Sequence, residues 1–171
     1  MPDADLKFIQ GARLYLRPLC SADADGAYPS WLNQASVCFG NSHHIYPYTR
    51  EMAREYIANA SKGNDQLILA IILNESNLHI GNIALQGIHP VYRSAELSIL
   101  IGDQTCWGRG YGKEAISLLL AHGFNNLNLH RITCGTFSNN ISMQGIARSL
   151  GMREEGLRRQ AIYKEGKYLD V

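Results

Sequence analysis

The chain has 171 residues, 46% of them hydrophobic, and a formal net charge of +1. That length and apolar content fit one domain, residues 1–171, with its own core, and argue against disorder. The near-neutral balance excludes a global electrostatic pull toward nucleic acid or a membrane surface, so neither is expected as a partner.

The opening MPDADLKFIQ lacks the basic region and apolar run of a secretory leader. Ala12 to Pro18 alternates apolar and polar residues and predicts a first strand closed by Pro18. Ser21 to Tyr28 predicts a short helix with Ser21 as N-cap and Asp23 in its first turn, interrupted at Pro29. The following SWLNQASVCFGNSHHIYPY is irregular, aromatic and rich in turn residues, a composition that lines clefts more often than it fills cores. Trp31, Phe39, Tyr46 and Tyr48 are its candidate cleft residues. Adjacent His43 and His44 point in different directions, so no shared metal is expected. Thr49 predicts the cap of a helix through Asn59, with Met52, Tyr56 and Ala60 on one face.

Gln66 to Leu73 and His79 to Gln86 read as two strands joined by the turn sequence NESN. The apolar run Leu67 to Leu73 is far too short to cross a bilayer. Ala95 to Ile101 predicts the next strand, with Glu96, Ser98 and Leu100 on one face and Leu97, Ile99 and Ile101 on the other. Past a glycine-rich loop, Ile116, Leu119, Leu120, Gly123 and Phe124 recur at helical spacing and predict one docking face. Arg131 to Phe137 reads as a strand, Asn140 to Leu150 as a helix stopped by Gly151, and Arg153 to Tyr163 as a long strand. Glu165-Gly166 turns the chain into Lys167 to Val171. This alternation predicts an α/β fold, a mixed sheet with helices on both faces. Cys20, Cys38, Cys106 and Cys134 stand too far apart for C-x-x-C motifs and read as reduced, mostly buried thiols of a cytoplasmic protein without a bound metal. Cys106 has no base fixed beside it in sequence, so packing is the simpler reading.

The loop carries the chemistry. Gly108, Gly110 and Gly112 let backbone approach a ligand closely, and the helix that follows presents unpaired N–H groups and the positive end of its dipole. Together these suit an anion such as a phosphate. An N–H bond to a charged oxygen is worth about 1.5–3 kcal/mol, so three or four would outweigh one exposed contact from Arg109 or Lys113. A Walker-type loop fails twice: Trp107 stands where its first glycine belongs, and Glu114 replaces the hydroxyl that would hold magnesium. A dinucleotide fingerprint matches Gly110 to Ala115, but the acidic residue it needs about twenty positions on is missing, since no Asp or Glu occurs from Ala115 to Arg153. The third candidate is the pyrophosphate loop Q/R-x-x-G-x-G/A of the GNAT acetyltransferases, with Gly110 and Gly112 at its two glycine positions.

AELSILIGDQTCWGRGYGKEAISLLLAHGFNNLNLHRITCGTFSNNISMQGIARSLGMREEG resembles the GNAT fold core from its fourth strand to its sixth. It is most similar to the branch of ribosomal-protein N-terminal (RimJ/RimL-like) and amino-sugar N-acetyltransferases. The WG-R-GYG-K-EA, LHRI and N…LGM-EEG blocks occur in that branch's order and spacing. The resemblance implies a central, mostly antiparallel sheet flanked by helices, with acetyl-CoA as cosubstrate. Trp107, Gly108, Arg109, Gly110, Tyr111, Gly112 and Lys113 would hold the pyrophosphate, and Ile99, Leu100 and Ile101 the pantetheine arm. Asn140 matches the family's Asn on that arm, its alternative being a plain N-cap. Trp107 stands where the family has Gln or Arg. Members carry a full seventh strand at the end of the chain, so the resemblance implies a shortened one here.

Acetyl transfer to an amine needs a base, because an alkylammonium has a pKa near ~10. Glu96 is the candidate, on an apolar strand beside the loop, where partial burial would raise its pKa; the resemblance supports it, and an ion pair with Arg93 or another neighbour is the alternative. Main-chain N–H of Leu100 or Ile101 would hold the oxyanion, where the resemblance implies that the fourth strand splays from the fifth. The family's acid, a Tyr seven residues after the Asn, is replaced by Ala147, and the ribosomal branch's Ser by Met143. Ser142, Tyr163 or water remain. Trp31, Phe39, Tyr46 and Tyr163 are the acceptor-binding candidates. The expected acceptor is an amino-sugar nucleotide or another small amine, or a protein N-terminus, on a monomer or homodimer. A non-catalytic acyl-CoA sensor is the alternative.

Overall fold

The computed structural model describes residues 6–60 and 62–171; the start of the expected leader-free segment, residues 1–5, lies outside them. Six strands form one sheet in chain order: β1 (Ile9–Gln10), β2 (Leu14–Pro18), β3 (Leu67–Leu73), β4 (His79–His89), β5 (Ser94–Ile101) and β6 (Arg131–Thr133). Every pair is antiparallel except β5 and β6. That pair is parallel because the helix α5 (Tyr111–Asn125) crosses over between its members, as a parallel connection requires. The continuous apolar run of β3 has its five central residues buried, which means both faces of the sheet are covered.

One face is covered by α5. Its Ile116 and Leu119 are fully buried against Leu14, Leu16, Leu69, Leu85 and Leu97. The other face meets four shorter helices, α1 (Ser21–Asp25), α2 (Tyr28–Trp31), α3 (Ala35–Cys38) and α4 (Arg50–Ala60), whose Ala24, Tyr28, Trp31, Val37 and Ala53 form a second cluster against Leu100. A last helix, α6 (Ile141–Ser149), sends Met143 and Ile146 toward the main core. The predicted α/β class, with helices on both faces, is the class observed.

Several boundaries differ from expectation. The predicted strand Arg131 to Phe137 pairs only as far as Thr133. Arg153 to Tyr163 is no long strand. Arg158 exchanges main-chain bonds with Val171 at 2.7 and 3.0 Å, and then β7 (Ile162–Lys164) and β8 (Lys167–Leu169) form a separate hairpin. REEGLRRQ has one large apolar side chain, Leu157, so it offers no alternating face to bury. Glu165 and Gly166 take the positive φ angles, 53° and 78°, of a two-residue hairpin turn.

The N-cap of α1 is Cys20, not Ser21, because Asp23 reaches back to accept from the Cys20 N–H at 2.8 Å. Thr49 caps α4 as predicted, accepting from Met52 N–H. However, α4 buries Ala53 and leaves Met52 and Tyr56 outward, so its inner face lies one position from the predicted one. Phe124 is 44% exposed, as the last turn of α5 runs past the core. Among the described residues no helix is long and apolar enough to cross a membrane, and no three His, Cys, Asp or Glu side chains gather where they could hold a metal.

Candidate active site

The glycine loop has the geometry of an anion cradle. Gly108 and Gly110 have φ angles of 71° and 81°, in the left-handed region that side chains other than glycine enter at a cost. Gly110 is the N-cap of α5, and the first N–H of the helix to find a main-chain acceptor is that of Glu114, on Gly110 O at 3.1 Å. The N–H groups of Tyr111, Gly112 and Lys113 precede it and have no helical acceptor. Arg109 and Lys113 extend into solvent. Arg13, which the sequence reading missed, braces the loop from β2's entry. Its main-chain N–H and Nε bond the two oxygens of Glu114 at 2.8 and 2.7 Å, and its Nη1 bonds Arg109 O at 2.9 Å. Burial works against the Glu114 charge, yet these bonds outweigh it and hold the carboxyl below its ordinary range.

A gap opens beside this loop. β5 and β6 pair only from Ser94↔Arg131 to Glu96↔Thr133, and beyond that point β5 has no neighbour on this side among the described residues. Gly102 N–H donates to Ile80 O on β4, so strand alternation turns the main-chain groups of Leu100, Ser98 and Glu96 toward β4 and those of Leu97, Ile99 and Ile101 into the gap. The expected role of Leu100 is therefore corrected: its N–H belongs to the ladder and its side chain packs in the second cluster. Ile101 O is taken by the Trp107 indole N–H at 2.8 Å. This explains Trp107: it ties the loop to the end of β5. The start of α5 closes the wide end of the gap, since a Cβ added to Gly112 would touch Ile99, Ile101 and Ile146 at 3.7–3.9 Å.

Glu96 stands at the narrow end. It is exposed rather than partly buried as expected, and it makes no ion pair among the described residues. Arg93 turns away to Asn128 at 2.7 and 2.9 Å. The Glu96 carboxylate lies near Gly135, 3.7 Å from where a Cβ would sit. The Cys134 thiol is pushed up, first by burial and then by the Glu96 charge; Cys106 is buried and also pushed up by burial, in keeping with a packing role. Asn140 caps α6, its Oδ1 accepting from Met143 N–H at 3.2 Å. Ser142 is exposed on the first turn of α6. Thr136, missed in sequence, carries a buried hydroxyl with no hydrogen-bond partner, on the segment that continues β6 along the gap. Its only sequence signal was the polar side chain in a predicted strand.

The acceptor-side candidates divide. Trp31 is a core residue, not a cleft wall. It packs edge-on against His79 with centroids 5.0 Å apart, and it fills the space beside Gly102, where an added Cβ would lie 1.9 Å from the indole. Beneath it, Arg17 holds Asp23 through two bonds of 2.7 and 2.8 Å, and His79 bridges Asp23 to Asn82. Burial opposes the Asp23 charge, but the bonds from Arg17 and His79 prevail and keep its carboxyl far below the usual range. Tyr48 packs against the same cluster. Tyr46 is 81% exposed and Tyr163 leans on Tyr168 at the hairpin surface. Phe39 lines a cavity of about 160 Å³ with Asn139, Lys164, Glu165, Lys167 and Leu169.

A helix start with free N–H groups at the mouth of a split sheet is the arrangement the sequence resemblance implied. The model of the acetyltransferase (GNAT) domain matches residues 13–153, most of the chain. The chain belongs to the GNAT acetyltransferase family. An uncharacterised N-acetyltransferase, p20, of Bacillus licheniformis is 29% identical over 93% of this chain and 89% of its own length. The spermidine N(1)-acetyltransferase of Vibrio cholerae is 32% identical over 54% of this chain and 53% of its own. Among solved structures, the ribosomal alpha-N-protein acetyltransferase RimL, in complex with coenzyme A, superposes with a TM-score of 0.82 at 19% identity, over 94% of this chain and 91% of that one. The fold is thus that of a GNAT enzyme, and the activity class is acetyl transfer.

Proposed function

We propose that this GNAT enzyme transfers acetyl from acetyl-CoA to the primary amine of a small molecule, with an amino-sugar nucleotide as the favoured acceptor. The observation that carries the reading is the juxtaposition of the free N–H groups at Tyr111 to Lys113 with the gap-facing main chain of Leu97, Ile99 and Ile101, which ends at Glu96. These residues fit the cosubstrate: the α5 start suits its pyrophosphate, and the open strand edge suits its amide-bearing arm. When bound there, acetyl-CoA supplies an activated acetyl group as a thioester. The gap-facing Ile99 and Ile101 N–H groups would be the donors to negative charge developing on the acetyl oxygen, and fixed main-chain donors need no reorganisation. Glu96, exposed at the apex, takes a proton from the incoming ammonium directly or through water. Thr136, rather than exposed Ser142, is the hydroxyl to meet the departing sulfur, since its oxygen lacks a protein partner.

A protein N-terminus is the second acceptor reading, supported by the fold shared with RimL. Polyamines are disfavoured by Lys164 and Lys167 at the acceptor cavity, against one carboxylate, Glu165. The test is thiol release from acetyl-CoA with a panel of amino-sugar nucleotides, polyamines and peptides. Glu96→Gln is expected to cut turnover at least tenfold while leaving acetyl-CoA affinity nearly intact; a fully active variant would remove Glu96 from the mechanism. No thiol release with any amine would favour the sensor reading.

A further inference from the structure

Lys164 is a cation held by main-chain carbonyls. Its ammonium, half-buried at the end of β7, donates to the carbonyl oxygens of Cys38, the last residue of α3, and of Asn41 in the loop that follows, and it lies 5.9 Å from the Phe137 ring. Among the described residues it has no carboxylate partner within ion-pair distance, although other cations of this protein find one. An ammonium has three donors, and two are spent on carbonyls. The third is left beside the cavity that Lys164 itself lines with Asn139 and Lys167. Lys164 and Lys167 face each other across the hairpin, with Glu165 in the turn between them, so two cations and one carboxylate line the cavity and its net charge is positive.

The cavity also has a defined place along the gap. Asn140, its neighbour in sequence, touches the acceptor loop: a Cβ on Gly40 would lie 2.6 Å from Asn140 Nδ2. Phe137, whose ring lies 5.9 Å from the Lys164 ammonium, is two positions beyond Gly135, which sits beside the Glu96 carboxylate, or about 7 Å along an extended chain. A half-buried ammonium with a donor to spare gains a charge-assisted bond from an anion that reaches it.

We propose that Lys164, with Asn139 and Lys167, is an anion subsite for the acceptor: it takes a phosphate or carboxylate oxygen that the substrate carries on the order of 10 Å from the amine presented to Glu96. The inference rests on the transferase reading above and narrows its substrate class to amines that bear a remote negative charge.

Two matched pairs test it in the wild-type enzyme: glucosamine 6-phosphate against glucosamine, and 6-aminohexanoate against hexylamine. At least a tenfold preference in kcat/KM for the anionic member of a pair is expected, and the pair that shows it separates phosphate from carboxylate. Lys164→Met, which keeps the stem, is expected to raise KM for the anionic amine about tenfold, the range of one charge-assisted bond, and to change the neutral amine less than threefold. Lys164→Arg should retain the preference. Equal losses on both members, with a lowered melting temperature, would make Lys164 a structural latch and overturn the proposal. So would a wild-type enzyme indifferent to the anion; turnover of neutral amines that still depends on Glu96 would then leave the transferase reading standing.

Discussion

The two halves of this site are built from different materials. On the cofactor side, the working groups are main-chain N–H and C=O groups of β5 and the first turn of α5, held by regular elements whose side chains fill the main core. On the acceptor side, the working groups are side chains on short helices and a two-stranded hairpin, joined by contacts across long stretches of sequence, such as Lys164 to Cys38 and Arg17 to Asp23 to His79. If backbone grips the cosubstrate as proposed, the first half should tolerate drift in side-chain identity. The second should change its preference with single substitutions. One fold can in this way keep a cosubstrate while exchanging acceptors.

If that division is right, damage to the acceptor side leaves the cofactor side able to bind. Asp23→Asn is the strongest test. It strands the buried Arg17, and breaking a buried pair costs about 3–5 kcal/mol, so a lower melting temperature is expected. Loss of acceptor turnover should exceed any loss of acetyl-CoA affinity in the fraction that stays folded; equal losses would mean that the halves are one unit. The same residue sets a pH response. Its folded pKa is depressed, so its contribution to stability is present above the unfolded value near ~3.9 and is lost as pH falls below it. Acid unfolding curves should steepen there in the wild type and flatten in Asp23→Asn.

Thr136 gives a smaller effect with a sharper sign. Removing a buried hydroxyl without a partner should stabilise the fold by about 1 kcal/mol, so Thr136→Val is expected to melt higher. If the hydroxyl meets the departing sulfur, the same variant turns over several-fold more slowly at unchanged acetyl-CoA affinity, and Thr136→Ser recovers the rate. A variant that melts higher and works normally would leave Thr136 as a packing flaw.

The division also explains what could be read from the sequence. Gly108, Gly110 and Gly112, the run of β3 and the periodicity of Ile116 and Leu119 are local signals, and each led to the right element. The split between β5 and β6 was legible only through family resemblance, since nothing in Cys134 to Phe137 forbids pairing. Trp31 misled because an aromatic residue in an irregular stretch looks like a cleft wall; its place in the core is set by Gly102, 71 positions away. Arg13 and Lys164 were missed for the same reason: their roles exist only through partners distant in the chain, Glu114 for one and the carbonyls of Cys38 and Asn41 for the other.

On the proposed reading, backbone around Gly110 grips the coenzyme. Calorimetric titration of acetyl-CoA into the wild type, Gly110→Ala, and an Arg109→Ala/Lys113→Ala double variant addresses it directly. The left-handed Gly110, at φ 81°, would be strained by about 1–2 kcal/mol with a side chain, so about a tenfold or greater loss of affinity is expected for Gly110→Ala and a smaller loss for the double variant. Binding that survives Gly110→Ala but vanishes in the double variant would contradict it, as would a wild-type protein that gives no heat with any coenzyme A derivative.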